Sequence, residues 1–66
     1  MILMINGEKS EYPEGLTVIQ LLEQLRLTPG ATVVEHNGII LDRGQYSSLG
    51  LKEGDRLELV RFVGGG

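Results

Sequence analysis

Few residues in this chain could carry out chemistry, and their types exclude most enzymatic mechanisms. There is no cysteine and only one histidine, His36, so cysteine-based zinc sites, iron–sulfur sites, thiol catalysis and disulfides are excluded. His36 precedes an Asn-Gly turn on an alternating strand, which is typical of a surface strand residue rather than of a catalytic base. We therefore expect no metal site.

Carboxylates are the second group of candidates. Glu8 with Glu11 and Glu53 with Asp55 form two pairs, but all four lie in polar edge or turn segments. Acid–base catalysis needs buried surroundings that tune the pKa of each carboxyl, so we expect solvated charges here. Neither glycine-rich phosphate motif occurs. The sequence thus predicts a protein that is not an enzyme by itself.

The chain closes on three glycines at positions 64–66, and this tail is the remaining candidate site. It presents the α-carboxylate of Gly66 at the end of a backbone segment without side chains, which reaches roughly 10 Å when extended. Glycine has no Cβ to block entry into a narrow cleft and accepts backbone angles that other residues avoid. The tail suits insertion into another protein's active site, and a frayed end without function is the alternative.

The charge pattern limits the partners. Nine acidic and six basic residues give a net charge of −3, and the basic residues are scattered along the chain. A nucleic-acid-binding protein needs a clustered basic face, so we expect no nucleic-acid partner. No apolar run approaches the ~20 residues of a membrane span, and no leader pattern is seen. We expect no membrane association and a cytoplasmic location.

The hydrophobic pattern predicts five strands and one helix that must support this tail. Asn-Gly pairs mark two hairpin turns, and Thr17 with Gln20 forms a capping box at the start of the helix. The pattern Thr28-Pro29-Gly30 is expected to stop the helix. The predicted strands are residues 1–5, 8–12, 32–36, 39–41 and 56–63. One helix packed on one face of a mixed sheet accounts for this order, an α+β fold.

The last strand carries a second candidate feature next to the tail. Leu57 and Leu59 alternate with polar residues and should face the helix. The same alternation places Val60 and Phe62 on the opposite face, where they would form a partner-binding surface. The alternative is that Phe62 folds back over the sheet edge. For the first strand, the buried face stays open because all five residues are apolar.

Together these residues resemble the ThiS family, whose members have the ubiquitin-like β-grasp fold. The resemblance covers essentially all 66 residues. It is carried by Thr17-Val18-x-x-Leu21-Leu22, by Val34-x-x-Asn37-Gly38-x-Ile40, and above all by Gly54-Asp55-Arg56-Leu57-Glu58-Leu59-Val60 followed by Val63-Gly64-Gly65-Gly66. The implied organisation is a β-grasp domain at residues 1–63 and a flexible tail at residues 64–66.

The resemblance implies a sulfur carrier protein of thiamine biosynthesis. A ThiF-like adenylyltransferase would use ATP to attach AMP to the carboxylate of Gly66, so the carrier would bind no cofactor itself. A cysteine desulfurase relay would then convert the terminus to a thiocarboxylate, and a ThiG-like thiazole synthase would accept the sulfur. Gly65 and Gly66 match the family's terminal Gly-Gly pair, and Gly64 is expected to extend the reach of the tail. The free carrier is expected to be a monomer.

Two alternatives remain open. The first is the small subunit of molybdopterin synthase, a MoaD-like sulfur carrier with the same fold and the same Gly-Gly end, although such chains tend to be longer. The second is a ubiquitin-like interaction module whose glycine tail is incidental.

Overall fold

The computed structural model describes residues 1–62, which form a five-stranded mixed sheet with one α-helix packed on one face. The elements in chain order are β1 (Ile2–Ile5), β2 (Glu8–Glu11), α1 (Val18–Gln24), β3 (Thr32–His36), β4 (Ile39–Ile40) and β5 (Arg56–Arg61), with 3₁₀ turns at Pro29–Ala31 and Arg43–Gln45. The strand order across the sheet is β2-β1-β5-β3-β4. Only the β1–β5 pair is parallel among these strands. The predicted α+β architecture is confirmed.

Both Asn-Gly pairs form the predicted two-residue hairpin turns. Asn6 and Gly7 have φ values of 50° and 83°, and Asn37 and Gly38 have φ values of 50° and 87°. Two successive positive φ values define the turn whose twist matches that of paired strands. The first turn joins β1 to β2, and the second joins β3 to β4.

Helix α1 begins as predicted. The Oγ1 atom of Thr17 accepts a hydrogen bond from the backbone N–H of Gln20, and the Gln20 side chain accepts one from the N–H of Thr17. This capping box satisfies two of the N–H groups that a helix end leaves unpaired. Val18, Leu21 and Leu22 are buried against the sheet.

The end of α1 differs from the prediction, because the helix stops before the Thr28-Pro29-Gly30 segment is reached. Arg26 takes a left-handed conformation with φ of 59°. The N–H of Arg26 donates to the carbonyl of Glu23 (3.1 Å), and that of Leu27 to the carbonyl of Leu22 (2.8 Å). These two bonds form a Schellman motif, which is usually built on glycine. The motif returns Leu27 to the hydrophobic core, and this packing ends the helix early.

The core lies between α1 and the inner face of the sheet. It consists of ten buried apolar side chains, from Leu3, Leu16, Val18, Leu21, Leu22, Val34, Leu41, Tyr46, Leu51 and Leu57. In β1, Leu3 is fully buried and Ile2 is 37% exposed, which settles the face that the sequence left open. Tyr46 Oη donates a buried 2.8 Å hydrogen bond to the carbonyl of Thr32, so this aromatic ties the irregular 42–51 segment to β3.

Candidate functional site

Strand β5 leads to the glycine tail and occupies the centre of the sheet. It pairs with β3 over five residues, and with β1 at Met4 and Ile5. The N–H of Phe62 donates to the carbonyl of Ala31 (2.8 Å), so pairing with the β3 side continues to the last described residue. The predicted reacting residues Gly64, Gly65 and Gly66 lie outside the described residues, as does Val63 at the predicted end of the strand.

Asparagine side chains of the two hairpin turns hold β5 from both sides. Asn6 Oδ1 accepts a hydrogen bond from the N–H of Leu59 (2.8 Å), just past the last backbone pairing with β1. Asn37 Oδ1 accepts one from the N–H of Arg56 (2.9 Å). The sequence identified both residues as turn formers only, and their second role depends on a strand distant in sequence. These bonds fix the start and the middle of β5 between its two neighbouring strands.

Asp55 departs from the sequence prediction, since it is buried (8% exposed) rather than solvated. Its Oδ2 accepts hydrogen bonds from the N–H of Lys52 (2.9 Å) and from His36 Nε2 (2.9 Å). Its Oδ1 accepts one from Asn37 Nδ2 (3.1 Å). The three donors compensate for the loss of water around the carboxylate, which explains why a charge from a polar turn can be buried here.

The pKa of Asp55 reflects two opposing effects. Burial raises the pKa, but hydrogen bonds from His36, the backbone of Lys52 and Asn37, with the attraction of His36, together hold it below its ordinary value. Asp55 therefore stays ionised as a structural anchor. The other three carboxylates of the predicted pairs, Glu8, Glu11 and Glu53, are exposed as expected.

His36 was expected on the surface, but its side chain is only 18% exposed and is bonded to Asp55. This contact joins the turn after β3 to the turn before β5. We therefore assign His36 to the support of β5. Within residues 1–62, no three potential ligands lie close enough together to hold a metal ion, and no helix is long and apolar enough to cross a membrane.

The predicted partner-binding residues of β5 lie on the outer face of the sheet, opposite the helix. Val60 and Phe62 are 58% and 61% exposed, whereas Leu57 is 1% exposed and Leu59 packs against the core. The predicted alternation is thus confirmed, and Phe62 does not bury itself over the sheet edge. The structure adds one neighbour that sequence reasoning missed, because Val33 of β3 lies directly opposite Val60. Binding of a partner there stays a prediction.

Comparison with known proteins identifies the family. The ThiS family model matches residues 3–66. The chain is 33% identical over 66 residues to the sulfur carrier protein ThiS of Bacillus subtilis, covering 98% of this chain and all of that one. It is 38% identical to the thiazole synthase of Paramagnetospirillum magneticum, where the match covers all of this chain but only 20% of the relative.

A solved structure agrees with these matches. The crystal structure of the thiamine biosynthesis protein ThiS from Geobacter metallireducens superposes with a TM-score of 0.85 at 36% identity, and the match covers both chains completely. The chain spans about a fifth of the length of the thiazole synthases that it matches. The family model, the Bacillus subtilis relative and the solved structure each match nearly the whole length of the chain, so the chain belongs to the ThiS family.

Proposed function

We propose that this chain carries sulfur for thiazole formation in thiamine biosynthesis, with the carboxyl group of Gly66 as the reacting group. The observation that carries the proposal is the position of β5. This strand lies at the centre of the sheet and accepts support from Asn6 and Asn37 on its two sides. Only Phe62 and Val63 separate it from the three glycines in the sequence. A rigid strand followed by residues without side chains can present its terminus inside another protein's active site.

The proposed chemistry begins with activation, because a carboxylate is a poor electrophile and lacks a good leaving group. A carboxylate oxygen of Gly66 attacks the α-phosphorus of ATP in the activating enzyme and releases pyrophosphate. The resulting acyl-adenylate has AMP as its leaving group. Attack by a sulfur nucleophile, hydrosulfide in the simplest case, displaces AMP and leaves a thiocarboxylate. Closed partner sites would keep water from the activated acyl group.

Three partners follow from this cycle. A ThiF-like adenylyltransferase would activate Gly66 with ATP, a cysteine desulfurase relay would supply sulfur, and a thiazole synthase would accept it. The matching segment within chains named thiazole synthase supports the last partner, since in those proteins a similar domain belongs to the same polypeptide. Gly65 would leave the entrance of the partner's active-site cleft free of side chains, and Gly64 would lengthen the tail.

Docking is the second part of the proposal. Val60 and Phe62 are exposed on the outer face within the last residues before the tail. A partner that binds the tail must also contact this surface or lie close to it. We propose that both side chains pack against the partner and thereby position the tail in the partner's active site.

Intact-mass spectrometry tests the proposal. Incubation with the cognate adenylyltransferase, ATP, a desulfurase and cysteine should exchange one oxygen of the terminus for sulfur. The matched control is a variant with one residue added after Gly66, which should bind the enzyme and gain no mass. An unchanged mass of the unmodified chain with demonstrably active enzymes would contradict the carrier function and favour a plain ubiquitin-like interaction module. The similar protein of Bacillus subtilis and the similar solved structure are both named ThiS, and the structure is named for thiamine biosynthesis, which supports this function over the molybdopterin synthase alternative.

A further inference from the structure

Both hairpin turns contain a dipeptide that can react with itself. In an Asn-Gly pair, the backbone nitrogen of the glycine can attack the side-chain amide carbon of the asparagine, because no Cβ shields that nitrogen. The residues of both pairs, Asn6-Gly7 and Asn37-Gly38, are exposed, and within residues 1–62 neither glycine N–H donates to a backbone carbonyl. Apart from chain neighbours, no atom of the described residues lies within 4 Å of the position that a Cβ would take on either glycine, so water reaches both turns.

The reaction forms a ring and then opens it. At the first turn, the nitrogen of Gly7 bonds to Cγ of Asn6, the bond from Cγ to Nδ2 breaks, and Nδ2 leaves as ammonia with the proton lost by Gly7. Water then adds to either carbonyl of the cyclic imide. Cleavage of the new bond gives aspartate at this position, whereas cleavage of the original peptide bond leaves the chain running through Cγ, which is isoaspartate. Either product adds one negative charge.

Side-chain hydrogen bonds distinguish the two turns, although the dipeptides are identical. Oδ1 is bonded similarly in both: that of Asn6 accepts from the N–H of Leu59 at 2.8 Å, and that of Asn37 accepts from the N–H of Arg56 at 2.9 Å. Nδ2, the leaving group, is bonded differently. In Asn37 it donates to Asp55 Oδ1 at 3.1 Å. In Asn6 it donates to the carbonyl of Leu59 at 3.4 Å, which is long for such a bond.

The carboxylate of Asp55 protects Asn37 in two ways. A hydrogen bond to an ionised acceptor is stronger than one to a neutral carbonyl, so the amide of Asn37 turns out of its contacts less often. Attack on Cγ also places negative charge on the amide oxygen, and the buried carboxylate beside it repels that charge. The hydrogen-bond partners of Asn6 are backbone groups of Leu57 and Leu59, which carry no charge.

We propose that Asn6 is a site of spontaneous deamidation in the folded protein, whereas Asn37 is protected by its contact with Asp55. This inference goes beyond the carrier function and does not depend on it. Its chemistry needs water alone as a co-reactant.

The modification would act on β5, because Asn6 extends the pairing of β1 with β5 past Ile5. Its N–H donates to the carbonyl of Leu57 at 2.9 Å, and its side chain bonds both backbone groups of Leu59. In aspartate both side-chain oxygens are acceptors, so the carbonyl of Leu59 loses its donor and faces a negative charge. In isoaspartate the extra main-chain atom enlarges the two-residue turn. Both products thus weaken the attachment of β5 to the first hairpin.

Incubation at mildly alkaline pH followed by peptide mapping tests the proposal. Trypsin cleaves after lysine and arginine, so Asn6 lies in the peptide of residues 1–9 and Asn37 in that of residues 27–43, and mass spectrometry follows each site separately. In urea, where the side-chain hydrogen bonds are lost, both sites should deamidate at similar rates. In buffer, Asn6 should react about tenfold faster than Asn37, because the bond to a charged acceptor opens less often.

The ratio of the two rates decides the outcome. Equal rates in buffer would show that both turns react only after global unfolding, and they would overturn the proposal. Faster reaction at Asn37 would overturn it as well, as would an Asn6 that stays intact in buffer while the chain in urea is fully converted.

Thermal unfolding tests the effect on β5. Asn6→Asp should lower the melting temperature by about 4–8 °C, the effect of about one lost hydrogen bond in a domain of this size. Gln24→Glu, which makes the same change from amide to carboxylate at an exposed position of α1, should lower it much less. The deamidated fraction of the unmodified chain, separated by its added charge, gives the same comparison without a variant. An unchanged melting temperature of that fraction would refute the weakening of β5.

Discussion

Replacing Asp55 by asparagine tests how strongly the domain depends on one buried carboxylate. The amide nitrogen of the new side chain cannot accept a hydrogen bond. If it replaces Oδ1 it faces Asn37 Nδ2, and if it replaces Oδ2 it faces the N–H of Lys52. Asn37 cannot turn its own amide to compensate, because its Oδ1 already accepts from Arg56. At least one donor is therefore left unsatisfied.

The loss in the free energy of unfolding follows from the number and type of hydrogen bonds that Asp55 accepts. An unsatisfied buried donor costs about 1–3 kcal/mol, and the remaining bonds lose the strengthening that a charged acceptor gives. We expect Asp55→Asn to lower the free energy of unfolding by about 2–4 kcal/mol. Against a stability of roughly 5 kcal/mol for so small a domain, this is a large fraction.

Urea unfolding followed by circular dichroism measures this change, with Glu14→Gln as the control because it removes one charge from an exposed position. The dependence on pH gives an independent check. The pKa of Asp55 is lowered in the folded state, so its contribution is fully present above the unfolded-state value of about 3.9 and is lost as pH falls through the lower folded-state value. Asp55→Asn should lack this contribution to the acid transition. A loss below 0.5 kcal/mol, roughly that of an ordinary surface substitution, would refute the reasoning.

Two further predictions concern the end of the helix and the outer face. Arg26→Gly should raise the free energy of unfolding by about 0.5–1 kcal/mol in the same urea assay, because glycine adopts the left-handed conformation of the Schellman motif without the strain of a Cβ. A lowered free energy of unfolding would show that the arginine side chain contributes more than its backbone strain costs. Phe62→Asp should leave the circular dichroism spectrum unchanged. It should weaken binding to the adenylyltransferase about tenfold or more, because an exposed apolar side chain that contacts the partner is lost. Unfolding of the variant would instead show that Phe62 belongs to the core.

The predictable parts of the fold were those set by neighbouring residues. Alternation in residues 56–62 was sufficient to place Leu57 inside and Phe62 outside, because the side chains of a strand point to opposite faces in turn. Both Asn-Gly turns and the capping box at Thr17 were likewise local signals with a known backbone geometry. Each of these features depends on fewer than eight consecutive residues.

Features that the sequence could not predict depend on residues far apart along the chain. The burial of Asp55 requires donors from His36 and Asn37, almost twenty positions earlier, and a single sequence gives no sign of that contact. The end of α1 at Arg26 was missed because the residue lacks the usual glycine signal and because tertiary packing of Leu27 decides it. The different contacts of the two Asn-Gly turns likewise become visible only in the folded chain.

The position of β5 has a consequence for folding. Its parallel neighbour β1 lies about fifty residues earlier in the chain, and its other neighbour β3 about twenty-five. Pairing over such separations forms late, since the entropy of closing a long loop must be overcome first. The centre of the sheet is therefore empty until the last strand has been synthesised and inserted between its neighbours. A chain whose sheet is incomplete offers its terminus on an unstructured segment, without the outer face beside it. If the glycine tail reacts as proposed, a partner that contacts both the outer face of the sheet and the terminus would bind only completely folded molecules.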